Sequence, residues 1–257
     1  MNTSTQTPAR TKKDARKTEL KPIPATKLHN LLLIAPHGKN DKDNDEYTAE
    51  IVEAIQGELK CHAIINKDIC KLDLNLNRIS QAETHETFTT DIKKIVDGND
   101  KTLVVWVHGI KNKNIKEEAI NYPEYKKAPK MLHALIGYGQ EPEPKGKTAK
   151  QKNTFTAEKK TVENFAKLLT ENGMTTILTR DDAENYRGQH QNIMNQWFLK
   201  NGYGLSQVQS IQLEVRKNDF REERYIKKTA GIIARENGKH FRHAFCIRCY
   251  AYTLRKG

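Results

Sequence analysis

Two histidines occupy the same kind of place in this sequence. The apolar run Leu31-Leu32-Leu33-Ile34-Ala35 ends on Pro36-His37-Gly38, and the run Leu103-Val104-Val105-Trp106-Val107 ends on His108-Gly109. Each run has the length and β-branched content of a buried strand. In an open α/β sheet, ligands gather beyond the carboxyl ends of strands. Two histidines at two such ends can therefore face one cavity. Imidazole suits zinc, and a catalytic zinc takes three protein ligands and keeps one position open. The third ligand is expected from the acidic stretch after His37, which offers Asp41, Asp43, Asp45 and Glu46. Most of these acids belong to a solvated loop, so one or two at most can be ligands, and the choice near Asp45 stays open among Asp41, Asp45 and Glu46.

Zinc lowers the pKa of a bound water, and a separate carboxylate must then take the proton. Glu214 is the candidate. It lies inside the expected core strand from Val208 to Val215, where a charge needs a partner or a task. Its plain alternative is a structural ion pair with Arg216 or Arg221. Arg78 can clamp a substrate carboxylate with its two-pronged guanidinium, with Asn77 adding a hydrogen bond. The plain alternative for Arg78 is an ion pair with Asp73. His29, His62, His85, His133, His190, His240 and His243 lack the strand-end setting and are read as structural.

The elements that must carry these groups alternate along the chain. Strands are expected at Leu28 to Pro36, Cys61 to Ile65, Thr102 to Val107, Met131 to Ile136, Thr175 to Thr179 and Val208 to Val215. Helices are expected at Asp45 to Leu59, from near Glu83 through Val96, Thr156 to Glu171, Asn192 to Leu199 and Glu222 to Glu236. Lys71 to Arg78 alternates polar and apolar residues, as an edge strand or an extended loop does. The stretches Lys111 to Lys130 and Gln140 to Asn153 read as an irregular insertion and a loop. Alternating strands and helices give an α/β class with a largely parallel sheet covered on both faces.

The chain has 257 residues, enough for one sizeable core. It contains no run of 18 apolar residues and so no expected membrane span. Residues 1–27 lack an apolar signal region, and a cytoplasmic setting is the default. Those residues carry seven Lys/Arg against two acids and read as a basic, flexible N-terminal tail ahead of a single domain over 28–257. Residues 239–257 carry five Lys/Arg and no acid. The net charge of +12 suits an anionic substrate or, as the rival reading, a non-catalytic protein that meets nucleic acid through basic ends. No nucleic-acid motif accompanies that charge. Cys246-Ile-Arg-Cys249 is a single CxxC, and one pair alone is read as chance spacing within a strand or packed tail.

Five segments together resemble the N-formylglutamate amidohydrolase family. They are Pro36-His37-Gly38, Asp45-Glu46-Tyr47-Thr48, Leu76-Asn77-Arg78, Val105-Trp106-Val107-His108-Gly109 and Ile211-Gln212-Leu213-Glu214-Val215, in the family's order over about residues 30–225. The resemblance implies a three-layer α/β/α fold of the phosphorylase/hydrolase-like kind, with a mostly parallel mixed sheet, shared with zinc carboxypeptidases. It implies one zinc ion on His37, Asp45 or Glu46, and His108. It implies substrate binding at Asn77, Arg78 and Gln212, and general-base work at Glu214. The implied reaction is hydrolysis of an amide in an N-acylated or γ-linked acidic amino acid. The chain departs from the family at Trp106 and Asn75, where relatives often carry acids.

Overall fold

The computed structural model describes residues 12–38, 45–120, 122–139, 155–179 and 192–234. Six strands form one sheet: β1 (Leu28–Ala35), β2 (Cys61–Ile65), β3 (Thr102–Ile110), β4 (Ala134–Gly137), β5 (Thr176–Leu178) and β6 (Val208–Arg216). Their spatial order is β2-β1-β3-β6-β4-β5. The first four run parallel, β4 is antiparallel to β6, and β5 is parallel to β4. The sheet is mixed and mostly parallel, as expected. From β1 the chain goes outward to β2, then crosses to β3 on the other side. That reversal opens a crevice at the carboxyl ends of β1 and β3, the place where such sheets bind ligands.

The helices are α1 (Lys12–Lys17), α2 (Thr48–Leu59), α3 (Ile79–Ala82), α4 (Phe88–Asp97), α5 (Asn112–Ala119), α6 (Lys159–Glu171) and α7 (Trp197–Lys200), and residues 226–234 are also helical. Strand alternation decides which layer each residue joins. Leu31, Leu33, Ala35, Val105, Val107, Ile211 and Leu213 pack with Ile51 and Ile55 of α2 and with Phe165 and Leu169 of α6. Leu32, Ile34, Val104 and Trp106 pack on the opposite face with Phe88, Ile92 and Val96 of α4. Both faces of β1 and β3 are thus dry, which explains why these two strands read as apolar runs.

Several sequence expectations need correction. The strand expected from Met131 begins at Ala134, because Pro129–Met131 forms a single 3-10 turn. The insertion over 111–130 contains α5, which buries Ile115 and Ala119; its two apolar anchors are too few to give a visible period. The helix expected from Glu83 begins at Phe88, after the short α3. Lys71 to Arg78 adds no sheet strand and runs through turns, its Leu74 and Leu76 buried beside α4. Residues 12–27 are not a free tail. Ala15 and Leu20 are buried, and Ile23 exchanges main-chain hydrogen bonds with Ala63 of β2 at 2.7 and 3.0 Å. Small, scattered apolar residues do this anchoring, so composition hid it. Residues 1–11, the CxxC pair Cys246 and Cys249, and the basic C-terminal stretch lie outside the described residues. Among the described residues no helix is long and apolar enough to cross a membrane.

Candidate metal centre

Strand β1 ends at Ala35 and delivers His37 two residues later. Gly38 then lets the chain pass close to α2: a Cβ there would lie 2.4 Å from the Ala49 Cβ and 2.9 Å from the Asn66 carbonyl oxygen. The chain re-enters the site at Asp45, whose N–H donates to the His37 carbonyl at 3.0 Å. The Asp45 carbonyl accepts from the Thr48 N–H and hydroxyl at 3.1 and 2.8 Å, which ties the residue to the first turn of α2. Tyr47, between them, sits in the left-handed region at φ 64°. A non-glycine residue there costs about 1–2 kcal/mol, and that cost lies within two residues of the site's carboxylate. His108 lies within β3, one strand position below Gly109, because β3 continues to Ile110 rather than stopping at Val107. Glu214 is its register partner on β6.

These placements bring three groups together. Asp45 Oδ2 lies 3.3 Å from His37 Nδ1 and 3.0 Å from His108 Nδ1. His37, Asp45 and His108 each offer an atom within 4.8 Å of the others, and all three are buried. A tetrahedral zinc with bonds of about 2.0–2.1 Å spaces its ligands about 3.3–3.4 Å apart, so both separations are close to those of a shared ion. Asn75 sharpens the point. Its Oδ1 lies 2.8 Å from His37 Nε2 and 3.0 Å from the Asn77 main-chain N–H. A main-chain N–H can only donate, so that Asn75 atom is the amide oxygen. His37 Nε2 must then donate to it, and in a neutral ring Nδ1 carries the lone pair. That lone pair faces the Asp45 carboxylate. Two acceptors 3.3 Å apart need a proton or a cation between them. Burial pushes His37 below its ordinary value, against the pull of Asp45, and the Lys71 and His108 charges lower it further. A neutral His37 with a shared cation meets these demands together. The donor set therefore fits a divalent metal ion.

The electrostatics separate the two carboxylates. Burial alone would raise Asp45, but His108 and His37, when a proton lies on the nitrogen that faces the carboxylate, hold it well below the ordinary 3.8. Glu214 goes the other way: burial raises it above the ordinary 4.5, with Asp45 adding to the rise, while His108, Gln212 and Lys71 pull it down. The two buried carboxylates thus shift in opposite directions, Asp45 down and Glu214 up.

The remaining sequence-predicted residues divide. Glu46 is not turned to the histidines: its carboxylate pairs with Lys217. Asp41 and Asp43 lie outside the described residues. Gln212, read as a substrate contact, donates from Nε2 to Glu214 Oε1, while its Oε1 is buried with no hydrogen-bond partner among the described residues. Asn77 Oδ1 and His108 Nε2 are buried and unpartnered in the same way. Arg78 is exposed, and its main chain bridges Ile193. It is joined to the triad through the 75–78 turn, which rests on His37 by way of Asn75. Neither expected ion pair of Glu214 forms. Arg216 pairs with Asp219 at 3.0 Å, and Arg221 binds main-chain carbonyls.

Sequence reasoning missed Asn75 as the partner of His37, and it offered Arg221 only as an ion-pair partner of Glu214, not as the binder of three main-chain carbonyls. The signal for Asn75 was its place three residues before Arg78, noted only as a departure. Among the other histidines, the Nδ1 atoms of His62, His85 and His133 accept main-chain N–H groups. His190, His240 and His243 lie outside the described residues.

No family model matches the sequence, and no curated protein is significantly similar to it. Solved structures do match. N-formylglutamate amidohydrolase from Ralstonia eutropha aligns with a TM-score of 0.56 over 88% of this chain and 98% of that one, at 12% identity. A gene product from Agrobacterium tumefaciens aligns with the same TM-score over 90% of this chain and 98% of that one, at 11% identity. At such identity the likeness is one of fold. The chain has the α/β fold of N-formylglutamate amidohydrolase, as the five motifs implied.

Proposed function

We propose that this protein is a zinc-dependent amidohydrolase that cleaves the amide of an N-acylated or γ-linked acidic amino acid. The observation that carries the reading is the convergence of His37, Asp45 and His108 at the strand ends with Glu214 beside them. The fold likeness to N-formylglutamate amidohydrolase supports the reaction class. His37, Asp45 and His108 would hold the ion, which when bound supplies Lewis-acid activation of water and of the scissile carbonyl.

The chain's own groups do the rest. Glu214 takes a proton from the attacking water as its oxygen bonds to the carbonyl carbon. The same carboxyl returns the proton to the departing nitrogen as the C–N bond breaks, leaving a carboxylic acid and an amine. Gln212 holds one Glu214 oxygen in place. Arg78, at the exposed rim, anchors a substrate carboxylate, and Asn77 adds a polar contact. The net charge of +12 favours approach of an anionic substrate.

The test is hydrolysis of a panel of N-acyl glutamates and γ-glutamyl peptides by the zinc-loaded protein. Turnover that disappears with a chelator, returns with zinc and is abolished in His108→Ala supports the reading. Zinc-loaded, folded protein inert on the whole panel would count against it, as would an active His108→Ala.

A further inference from the structure

Arg221 is a buried cation that the proposed chemistry does not use. It follows β6, and its side chain is 3% exposed. Its three nitrogens go to three separate segments. Nε donates to the Val215 carbonyl of β6 at 2.8 Å. One terminal nitrogen donates to the Glu46 carbonyl, and the other to the Ile110 carbonyl at the end of β3 at 3.4 Å. Those segments carry Glu214, Asp45 and His108. The guanidinium lies flat on Gly109: a Cβ at that position would come within 2.3 Å of its central carbon. Gly109, directly after His108, thus leaves room for the arginine. Lys217, from the same turn after β6, pairs with the Glu46 carboxylate, so residue 46 is held at both main chain and side chain.

We propose that Arg221 is a positioning residue that fixes the Asp45 ligand against the two histidines, with Gly109 as its seat. This rests on the zinc reading for its functional meaning, but the placement itself does not. Asp45 directly precedes Glu46, the residue whose carbonyl Arg221 grips, and its remaining main-chain anchors are the His37 carbonyl and Thr48. A guanidinium is suited to the task because it remains charged and its fork is planar and rigid. An ammonium at the same place keeps the charge and cannot span three carbonyls.

Two variants isolate the fork. Arg221→Lys keeps the charge and loses the geometry. Gly109→Ala keeps Arg221 and displaces it. Zinc affinity, measured by chelator competition on folded protein, should weaken ~10–100-fold in each, as for other groups that orient metal ligands. Guanidinium ion added below denaturing concentration should restore zinc affinity in Arg221→Ala, an effect that loss of general stability would not give. Hydrogen exchange of the metal-free proteins supplies the independent readout. The amides of Asp45, Thr48 and Ile51 should exchange faster in both variants while β1 and β3 stay protected. Unchanged zinc affinity and unchanged exchange at these amides in both variants would overturn the proposal. If the wild type binds no zinc, the zinc reading fails, and the exchange result alone decides whether Arg221 positions Asp45.

Discussion

At the scale of single residues, the site divides its labour by burial and hydrogen bonding. Asn75 fixes which nitrogen of His37 faces the metal position. Asn75→Ala should keep the fold and weaken zinc binding ~10–100-fold, read by chelator competition; unchanged affinity would remove Asn75 from the site. Glu214→Gln keeps the size of the side chain and removes the carboxylate that the proposed reaction uses as its base. It should lower kcat by ~10²-fold or more while zinc stays bound. Because burial raises Glu214 above 4.5 and the base works deprotonated, kcat/KM should fall on the acid side along a limb centred above that value. Asp45 has the opposite sign. Its folded pKa is depressed below 3.8, so its charged contacts contribute stability above that pH and lose it as pH falls through the folded value. Urea unfolding of metal-free Asp45→Asn beside wild type should show a deficit of about 2 kcal/mol near pH 6, narrowing below pH 3.8. These residues were partly legible in the sequence. His37 and His108 stood out because each follows an apolar run, and Glu214 because it is a charge inside an expected core strand. Asn75 and Arg221 did not, because their roles depend on contacts across 38 and 175 residues of chain, and neither interrupts a pattern.

At the scale of elements, the apolar runs told most. Strand β2 has the expected bounds, and β1 and β6 differ from expectation by one residue at one end, since a strand dry on both faces leaves a continuous signal. Short or lightly anchored pieces were illegible: α5 has two buried apolar residues, and β4 has four residues in all. The same logic explains Glu46. Helix α2 begins at Thr48, so Asp45, Glu46 and Tyr47 form the turn before it, and adjacent residues of a turn point apart. The tight pass of β1 into α2 gives a prediction. Gly38→Ala should lower stability by about 1–3 kcal/mol, seen as a lower Tm, because the new methyl meets Ala49 and the Asn66 carbonyl. A Tm equal to wild type would show that the pass is looser than the distances require.

At the scale of the whole molecule, charge and composition said less about the fold than about partners. The basic N-terminal stretch looked like one tail, yet its described part, residues 12–27, packs on the domain. Removing residues 1–27 should destabilise the protein by at least about 2 kcal/mol, because Ala15, Leu20 and Ile23 lose their burial on the sheet. Residues 1–11 hold only Arg10 of the seven Lys/Arg in residues 1–27, so substituting Gln for the exposed Lys12, Lys13, Arg16 and Lys17 tests the rival polyanion reading. If nucleic-acid binding is the function, that loss of charge should lower affinity, and the remaining affinity should fall steeply with salt. The hydrolase reading expects zinc binding and turnover to survive it.

The central claim is that two strand-end histidines and Asp45 hold one zinc ion. The most direct measurement is the metal content of protein purified without added metal and then offered zinc at neutral pH, wild type beside His37→Ala and His108→Ala. The predicted result is about one zinc per chain in the wild type and loss of that zinc in both variants. Absence of zinc in the wild type, or retention of it by both variants, would contradict the claim.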